Sequence, residues 1–345
     1  MKLYDIPKVS LGVYPTPLEP LRNLSEKLGK GNLFIKRDDS AGPAFGGNKT
    51  RKLEYIIHEA LEQKCTVMLT VGGPQTNHGR TTVAAAIKHG LKPVLVLSGE
   101  QPAALSGNLV LDAMMGADII FAGNDLPSAV NATIARYEAA GEKVYNLPVG
   151  GSTHLGALGY IMAVGELTEQ LAKTGVSPTY LVCPVGSLGT YCGLNIGAKY
   201  FNAPFRVLGI PVSPQAAERH EAAAKFIREC SEAFGLDISF EPDELLICNG
   251  PDDAPYSGEA YNKPDLLTRA AMYELAKTEG IILDPVYTGK AFRGMLDLLE
   301  SGFIKPDEDV IFLHTGGAMA VWTKEHLDDM QPDLAENCTM DKWTP

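Results

Sequence analysis

The sequence predicts an α/β protein of two domains, in which parallel sheets are flanked by helices. Short apolar runs, most of them ending in glycine or proline, alternate with longer segments of helical periodicity along almost the whole chain. This alternation is typical of parallel sheets that are covered on both faces. The chain has 345 residues, of which 45% are hydrophobic and 21% charged. That composition is typical of soluble globular proteins, and the length suits two hydrophobic cores.

Several short segments have the composition of buried strands, because they are rich in valine, isoleucine and leucine and are bounded by turn residues. They are Thr66–Val71, Pro93–Leu97, Asp118–Ala122, Lys143–Leu147, Thr179–Cys183, Phe205–Ile210 and Val310–Leu313. In open α/β sheets, ligands bind outside the carboxyl ends of the strands. The loops that follow these segments are therefore the first places to look for chemistry.

Helices are predicted between the strands. Beginning near Leu53, apolar residues including Ile56 and Ile57 fall on one face at helical spacing, and glutamates fall elsewhere. Similar patterns cover Val83–His89, Gly107–Met115, Ala129–Ala140, Tyr160–Leu171 and Ala270–Glu279. The Pro- and Gly-rich stretch Pro148–Gly159 is the best candidate for the switch between two α/β layers.

Charge and cysteine usage exclude some classes of protein. The formal net charge is -12, which argues against a nucleic-acid partner, because such binding depends on lysines and arginines that neutralise phosphates. The N-terminus lacks the apolar stretch of a secretory signal, and no apolar run is long enough to span a bilayer. The six cysteines are scattered without metal-ligand spacing. We expect a cytoplasmic protein without a metal and without a membrane partner.

The first candidate loop is Gly46-Gly47-Asn48-Lys49-Thr50, directly ahead of a predicted helix. Glycines let a ligand approach the backbone closely. A lysine near a cation or a helix N-terminus loses its proton more easily, as a Schiff-base amine must. A solvated lysine before a helix is the alternative. A nucleotide P-loop is disfavoured, because that motif would need lysine where Asn48 stands.

The second candidate loop is Gly72-Gly73-Pro74-Gln75-Thr76-Asn77-His78, between a strand and a helix. Free backbone N–H groups at the helix start would suit a carboxylate or phosphate. Thr76 or Asn77 could equally serve as an N-cap, which spacing alone favours. His78 by itself is typical of a surface histidine or of one with its hydrogen bonds satisfied within the protein.

The third candidate loop is Pro184-Val185-Gly186-Ser187-Leu188-Gly189-Thr190, which has the small residues, hydroxyls and following helix of a phosphate cradle. A tight strand-to-helix turn is the alternative. Leucine at position 188 breaks the G-x-G-x-x-G motif and disfavours a dinucleotide-dependent oxidoreductase. Two further segments, Asp284–Lys290 and His314–Gly317, lie at element ends and contribute Tyr287, Thr288 and Thr315 as candidate polar groups.

Taken together, these strings resemble the fold-type II pyridoxal-phosphate (PLP) enzymes, in the branch of D-cysteine desulfhydrase and 1-aminocyclopropane-1-carboxylate (ACC) deaminase. The matching motifs are collinear over nearly the whole chain. They are Tyr14–Leu18, Ile35–Asp39, Gly46–Tyr55, Gln75–Arg80, Pro148–Ser152, Gly186–Thr190, Thr278–Gly280, Asp284–Lys290 and His314–Gly317. The resemblance implies a tryptophan-synthase-β-like fold with PLP between a large domain, residues 1–51 plus 161–345, and a small domain, residues 52–160. It also implies a homodimer.

The resemblance further implies a role for each matching residue. Lys49 is the Schiff-base lysine, and Thr76, Tyr261 and Tyr287 join it as catalytic residues. The implied cofactor-binding residues are Asn48, Lys49, Asn77, Gly186, Ser187, Leu188, Gly189, Thr190, Thr288 and Thr315. The implied substrate-binding residues are Gln75, Thr76, Asn77, His78 and Ser152. Among these, Asn77 matches the residue beside the PLP ring hydroxyl, and Thr288 and Thr315 resemble the groups near the pyridine nitrogen.

The resemblance bears on substrate as well. ACC deaminases typically have a glutamate where this chain has Thr288, and a hydroxyl holds the ring-nitrogen charge less firmly than a carboxylate. Thr288 therefore favours elimination of a good leaving group, and D-cysteine is the expected substrate, giving pyruvate, sulfide and ammonia. Thr76 departs from the serine that both subfamilies usually carry, and its extra methyl narrows the pocket.

Three alternatives remain from the sequence. One is ACC deamination, another is elimination from a different β-substituted amino acid such as L-cysteate or D-serine, and the third is a non-catalytic protein that binds a phosphorylated ligand. The colour of a lysine-bound PLP would separate the enzymes from a colourless binding protein.

Overall fold

The computed structural model describes residues 3–338 and contains two β-sheets with helices packed on them. Both sheets are parallel except at one edge of the larger one. The predicted α/β class is therefore confirmed. Among the described helices, none is long and apolar enough to cross a membrane.

The larger sheet has six strands in the order β1-β2-β10-β7-β8-β9. Only the β1–β2 pair is antiparallel. The strands are β1 (Leu18–Pro20), β2 (Leu33–Lys36), β7 (Tyr180–Val185), β8 (Arg206–Pro211), β9 (Leu246–Ile247) and β10 (Val310–Leu313). Strand order reverses at β7, which has β8 on one side and β10 on the other, so the loops after β7 and β10 meet at a switch point where ligands bind.

The smaller sheet has four parallel strands in the order β5-β4-β3-β6. They are β3 (Val67–Gly72), β4 (Lys92–Leu97), β5 (Asp118–Phe121) and β6 (Val144–Leu147). In this sheet β3 lies between β4 and β6, and both of these neighbours come later in the chain. The strand order therefore reverses at β3, and the loop after Gly72 lies at a second switch point. Because this whole sheet falls within residues 52–160, we keep that range as the proposed small domain.

The α-helices are α1 (Arg22–Leu28), α2 (Lys49–Glu62), α3 (Asn77–Lys88), α4 (Asn108–Met114), α5 (Leu126–Ala139), α6 (His154–Thr174), α7 (Gly189–Tyr200), α8 (Pro214–Ala217), α9 (His220–Phe234), α10 (Leu266–Glu279), α11 (Thr288–Glu300) and α12 (Lys324–Asn337). Short 3₁₀ turns lie between some of these elements, as at Val149–Gly151.

All the predicted strands are present, with ends that differ from the prediction by at most two residues. The short strands β1, β2 and β9 and the helices α1, α8, α9, α11 and α12 were not predicted. The helix predicted near Leu53 begins four residues earlier, at Lys49. Its first turn, Lys49–Lys52, carries charged and polar side chains, so apolar periodicity could not mark its start.

Helices α2, α6 and α7 pack against one another. A Cβ on Gly193 of α7 would lie 2.5 Å from the Ala157 carbonyl oxygen of α6, and one on Gly159 of α6 would lie 2.4 Å from the Arg51 carbonyl oxygen of α2. Such close approach requires glycine at these positions. It brings the N-terminus of α2, with Lys49, beside the N-terminus of α7 and its loop.

A buried ionic network holds the far side of α2. Arg51 donates to both Asp38 carboxylate oxygens at 2.8 and 2.9 Å and to Glu166. Tyr160 donates to the same Asp38 carboxylate at 2.6 Å. Burial would raise the pKa of Asp38, but the Arg51 guanidinium more than offsets this and holds that pKa at about 2. Since Arg51 is two residues from Lys49, this network fixes the helix turn that carries the lysine.

Candidate active site

A cavity of about 400 Å³ lies where the carboxyl ends of the two sheets face each other. Its volume is within the usual range for small-molecule sites. Residues from all the predicted loops line it. Those predicted from the sequence are Asn48, Lys49, Thr76, Asn77, His78, Gly186, Ser187, Leu188, Thr190, Tyr261, Tyr287 and Thr315. The fold thus brings together segments more than 260 residues apart in the chain.

Lys49 is the first residue of α2 and lies on the cavity wall. Its Nζ donates to Asn48 Oδ1 at 3.1 Å. Burial, together with the nearby charge of Arg80, lowers the pKa of Lys49 to about 8. More of the amine is therefore unprotonated near neutral pH than for a lysine of ordinary pKa, as attack on a carbonyl carbon requires.

The loop after β7 has the properties of an anion cradle. Within residues 3–338, no acceptor is found for the backbone N–H groups of Ser187, Leu188 and Thr190. Leu188, the N-cap of α7, has a φ of +70° and no side-chain cap. A bulky residue in this conformation is strained, and such strain is found at functional sites. The uncapped N-terminus of a twelve-residue helix suits a phosphate.

Lys52 lies beneath this loop, although sequence reasoning gave it no role. A Cβ on Gly189 would be 2.8 Å from its Nζ, and that Nζ donates to the Gly150 carbonyl at 3.1 Å. Burial, with the charge of Lys49, holds the pKa of Lys52 well below its usual value. Lys52 sits one helical turn after Lys49, and that spacing is the signal that could have revealed it.

Ser152 supports the anion cradle from behind and does not line the cavity. Its hydroxyl donates to Ser187 Oγ at 3.0 Å and accepts from the Gly189 N–H at 3.2 Å. Gly189 also lies off the cavity wall. A substrate-binding role for Ser152 stays a prediction, and its observed contacts position the cradle.

Thr76 is the N-cap of α3, because its Oγ1 accepts from the Gly79 N–H at 3.2 Å. It lines the cavity as well, so the structural and functional interpretations of this residue are compatible. Gln75 does not line the cavity. Its Oε1 accepts from the Asn108 N–H at 2.8 Å and its Nε2 donates to the Ser106 carbonyl, so it holds the loop before α4.

His78 is 3% exposed and its Nε2 lies 2.8 Å from Thr70 Oγ1. The Thr70 hydroxyl donates to the Leu147 carbonyl, so it must accept from Nε2–H. Burial, then Lys49 and Lys52, holds the pKa of His78 well below its usual value. The histidine is therefore neutral, with its hydrogen bonding partly satisfied inside the protein.

Tyr261 and Tyr287 form a pair on the cavity wall, with their hydroxyl oxygens 2.5 Å apart and their rings in a T-shaped arrangement. Burial, followed by the neighbouring Tyr261, raises the pKa of Tyr287 well above its usual value. Both phenols are protonated at neutral pH and can donate a proton or a hydrogen bond to a group in the cavity.

The two predicted threonines differ in position. Thr315 lines the cavity, and its hydroxyl has no partner among residues 3–338. Thr288 does not line the cavity and is fully buried. Its hydroxyl donates to Asp284 Oδ1 at 2.6 Å, and Asp284 also accepts from the backbone N–H groups that begin α11. To reach a ring nitrogen, Thr288 would have to give up this bond, so Thr315 is the better placed of the two.

Sequence reasoning missed Arg219, which lines the cavity and donates to the Gly186 carbonyl at 2.8 Å. It follows the short helix α8 and belongs to no recognised motif, so only the fold reveals it. Among the residues that the structure describes, none with a carboxylate side chain lines the cavity. The wall is therefore cationic in a protein whose net charge is -12.

PLP fits this arrangement. The free N–H groups of Ser187, Leu188 and Thr190, with Lys52 beneath, suit its phosphate, and Lys49 suits its aldehyde. The unpartnered Thr315 hydroxyl is available to its ring nitrogen.

Comparison with known proteins gives a concordant result. Residues 9–316 match the family model described as pyridoxal-phosphate dependent enzyme. A putative ACC deaminase of Thermotoga maritima is 38% identical over 92% of this chain and 98% of its own length. A D-cysteine desulfhydrase of Yersinia enterocolitica is 37% identical over 93% of this chain and 97% of its own length. The crystal structure of an ACC deaminase homologue, 36% identical, superposes with a TM-score of 0.83 over 96% of this chain and 97% of its own.

Proposed function

Because this chain belongs to the pyridoxal-phosphate dependent enzymes, among lyases named ACC deaminase and D-cysteine desulfhydrase, we propose that it converts D-cysteine to pyruvate, sulfide and ammonia. Its fold is the fold-type II architecture, its cofactor is PLP, and it acts on a small amino acid. The observation that carries the PLP chemistry in this proposal is Lys49, with its lowered pKa, on the same cavity wall as a cradle of free N–H groups.

Bound PLP supplies an electron sink for the negative charge that develops at the substrate Cα. The backbone N–H groups of Ser187, Leu188 and Thr190, with Lys52, would hold the phosphate, and Thr315 would donate to or accept from the ring nitrogen. Lys49 would bind the aldehyde carbon and afterwards carry the Cα proton.

The substrate amino acid would be oriented by the α3 end of the cavity. The N-terminus of α3, capped by Thr76, favours an anion, so the substrate carboxylate would lie there. Tyr287, paired with Tyr261, would donate a proton to the departing sulfur. Because no carboxylate of the described residues lines the cavity, the wall does not repel the two anionic groups that it would bind, the phosphate and the substrate carboxylate.

Preference for D-cysteine over ACC rests on the polar groups near the ring nitrogen. A carboxylate there would hold the nitrogen protonated and deepen the electron sink, which opening a cyclopropane requires. The described cavity wall has hydroxyls and no carboxylate. Sulfide is a good leaving group that needs less assistance, so this wall supports β-elimination.

A second candidate function is elimination from an amino acid with an anionic β-substituent, such as L-cysteate. Arg219 supports it. The guanidinium reaches the Gly186 carbonyl, and a Cβ on Gly186 would lie 3.9 Å from the Tyr287 ring. Arg219 and Tyr287 line the same cavity, so the guanidinium would be available to a sulfonate leaving group that the proposed acid protonates.

The deciding experiment measures 2-oxo acid release by purified, PLP-loaded enzyme. The product is pyruvate from D-cysteine, L-cysteine, L-cysteate and D-serine, and 2-oxobutyrate from ACC. We expect D-cysteine to be turned over fastest, with one sulfide per pyruvate. Faster turnover of L-cysteate, lost in Arg219→Gln, would favour the second candidate. Faster formation of 2-oxobutyrate and ammonia from ACC would contradict the preference for elimination.

Lys49→Ala tests the assignment of the lysine. We expect the variant to lose both turnover and the visible band that borohydride bleaches in the wild type. Lys64→Ala is the matched control, because Lys64 is an exposed lysine just after the same helix. Undiminished steady-state turnover by Lys49→Ala would contradict the proposed function.

We also propose that the enzyme is a cytoplasmic homodimer, as its family resemblance implies. Light scattering coupled to size exclusion would measure the mass in solution, and a monomer of 37.0 kDa would contradict the dimer.

A further inference from the structure

A chain of buried hydrogen bonds runs from Arg80 to the cavity wall. Arg80 Nη1 donates to Asn108 Oδ1 at 3.2 Å, and Asn108 Nδ2 donates to Asn77 Oδ1 at 2.9 Å. Arg80 is 1% exposed and Asn108 is fully buried. Asn77 lines the cavity. Of these residues, Arg80 and Asn108 do not touch the cavity themselves.

The direction of each bond in this chain is determined by its ends. Arginine can only donate, so Asn108 must turn its carbonyl oxygen toward Arg80. A main-chain carbonyl can only accept, and the Gln75 carbonyl lies 2.8 Å from Asn108 Nδ2. The Arg80 guanidinium and the Gln75 carbonyl therefore require the same orientation of the Asn108 amide. Its Nδ2 therefore donates to Asn77, and Asn77 must present its own carbonyl oxygen to Asn108.

Asn77 is left with its amide nitrogen free. Among residues 3–338, no acceptor is found for Asn77 Nδ2. Since its Oδ1 is occupied by Asn108, the group that Asn77 offers to a ligand in the cavity is an N–H donor. A donor favours an anionic oxygen over a hydroxyl.

Arg80 is the fixed end of this series of hydrogen bonds, because a second contact holds its side chain in place. Its Nη2 donates to the Gly46 carbonyl at 3.0 Å, in the loop that carries Lys49. Burial lowers the pKa of Arg80 only to about 10, so it remains a donor at neutral pH. Its Nε is buried without a partner in the described part of the chain. The nearby Asp112 carboxylate offsets part of the cost of burying this cation, and the remaining cost is more readily explained by a role in the site than by stability.

We propose that Arg80 and Asn108 are positioning residues that fix the Asn77 amide with its N–H group toward the cavity, so that the site stabilises the ring phenolate of bound PLP. This inference rests on the proposed function, because it takes PLP as the ligand. It assigns to Asn108, which lies outside every recognised motif, control over the charge state of the cofactor.

Asn108→Asp tests the proposal with a nearly isosteric change. Aspartate keeps the acceptor that Arg80 needs but replaces the Nδ2 donor with an oxygen, which removes the hydrogen bond to the Gln75 carbonyl as well as the one to Asn77. Asn77 must then rotate its amide to donate to that oxygen, and its own Oδ1 turns to the cavity. We expect the visible band of bound PLP, which reports the phenolate, to weaken in favour of a near-ultraviolet band. PLP affinity should fall about tenfold or more, the effect of losing one hydrogen bond to a charged group.

Asn195→Asp is the matched control. Asn195 is also buried and donates to a main-chain carbonyl, that of Tyr191, but it does not line the cavity. Its spectrum and PLP affinity should match those of the wild type. Asn108→Ala is the second variant, because it adds no buried charge. It frees Asn77 to rotate, so we expect the same direction of change with a smaller size.

The outcomes are distinguishable by absorbance titration of each apo-enzyme with PLP, with circular dichroism to confirm folding. Weakened visible bands in Asn108→Asp and Asn108→Ala, with Asn195→Asp unchanged, would support the proposal. A folded Asn108→Asp protein with the wild-type band and affinity would overturn it while leaving the proposed function intact. If Asn108→Asp does not fold, Asn108→Ala decides in the same way. A wild-type protein that binds no PLP would overturn both.

Discussion

At the scale of single residues, two buried lysines have different electrostatic surroundings. Lys49 has Arg80 as its cationic neighbour, and Lys52 has Lys49. Burial lowers the pKa of both lysines, and neither forms an ion pair among the described residues that would offset it, so both are more easily deprotonated than a surface lysine. The consequences differ, because Lys49 must be a free amine to react, whereas Lys52 must be an ammonium to hold a phosphate.

The pKa of Lys49 predicts how fast the apo-enzyme takes up its cofactor. With a pKa of about 8, the free amine increases as pH rises and reaches its limit above that pKa. The rate of appearance of the visible PLP band, measured by stopped flow, should therefore rise from pH 6 toward a plateau above about pH 8. Arg80→Met removes a nearby cation, so its profile should move to higher pH. A wild-type rate that still rises steeply beyond pH 10 would contradict the lowered pKa.

Replacing Lys52 should weaken the binding of PLP without lowering the stability of the apo-enzyme. Lys52→Met removes an N–H donor beneath the anion cradle, so PLP should bind about 10- to 100-fold more weakly, as expected for one lost hydrogen bond to the charged phosphate. The apo-enzyme should be at least as stable as the wild type, because a buried amine has been replaced by an apolar side chain. Titration with PLP and urea unfolding measure the two quantities. Lys52→Arg keeps the charge, and equal losses of affinity in both variants would argue that packing, not charge, is responsible.

At the scale of secondary structure elements, the cavity is built from helix N-termini. Helices α2, α3 and α7 all begin at or beside it, with Lys49, Asn77 and Gly189 as their first residues. The partial positive charges of the three helix ends therefore add to those of the cations on the wall. Their capping differs. Thr76 caps α3, whereas the caps of α2 and α7 make no side-chain hydrogen bond, which leaves the N–H groups of α7 for a ligand.

The capping role of Thr76 can be separated from its role in the cavity. Thr76→Ser keeps the hydroxyl that accepts from Gly79 N–H, so we expect unchanged stability and an altered substrate preference from the wider pocket. Thr76→Ala removes the cap and should lower the free energy of unfolding by about 1 kcal/mol. Urea unfolding of the two variants, with substrate profiles of each, makes the comparison. Equal stability of Thr76→Ala and the wild type would argue against a capping contribution.

At the scale of the whole molecule, the ionic network around Asp38 connects the N-terminal segment, α2 and α6. Thr16 and Arg51 both donate to the Asp38 carboxylate, and Arg51 also reaches Glu166 of α6. Because the network lies opposite the cavity on α2, it stabilises the fold that positions Lys49 without contacting the ligand. Its contribution depends on Asp38 being ionised.

Acid should weaken this network in a defined pH window. The folded-state pKa of Asp38 is about 2 and its ordinary value is 3.8, so the folded protein binds fewer protons than the unfolded chain between these values. The stabilisation is complete above about pH 4 and is lost as pH falls toward 2, by about 2 kcal/mol. Urea unfolding at several pH values measures it. Asp38→Asn should be less stable at pH 7 and should lack this part of the pH dependence. An unchanged dependence in the variant would assign the acid sensitivity to other carboxylates.

Much of the fold, and several of the residues in the site, could be predicted from short segments of the sequence. The buried strands, the helices of clear periodicity and the glycine-rich loops could be predicted because short segments carry their own patterns of hydrophobicity and turn residues. Lys49 and the Gly186–Thr190 loop follow from such patterns together with the family resemblance. The strands β1 and β9 were missed because strands of two or three residues have no periodicity to detect.

The sequence by itself determined the α/β class, the family, the cofactor and the loops that surround the ligand. Only the tertiary structure decided which residue of each loop faces the cavity. It places Thr315 on the wall and turns Thr288 to Asp284, sets Ser152 behind the cradle, and brings Lys52, Arg219 and Asn108 to the site. The physical reason is that these outcomes depend on hydrogen bonds and close packing between segments far apart in the chain, and no local pattern records such contacts.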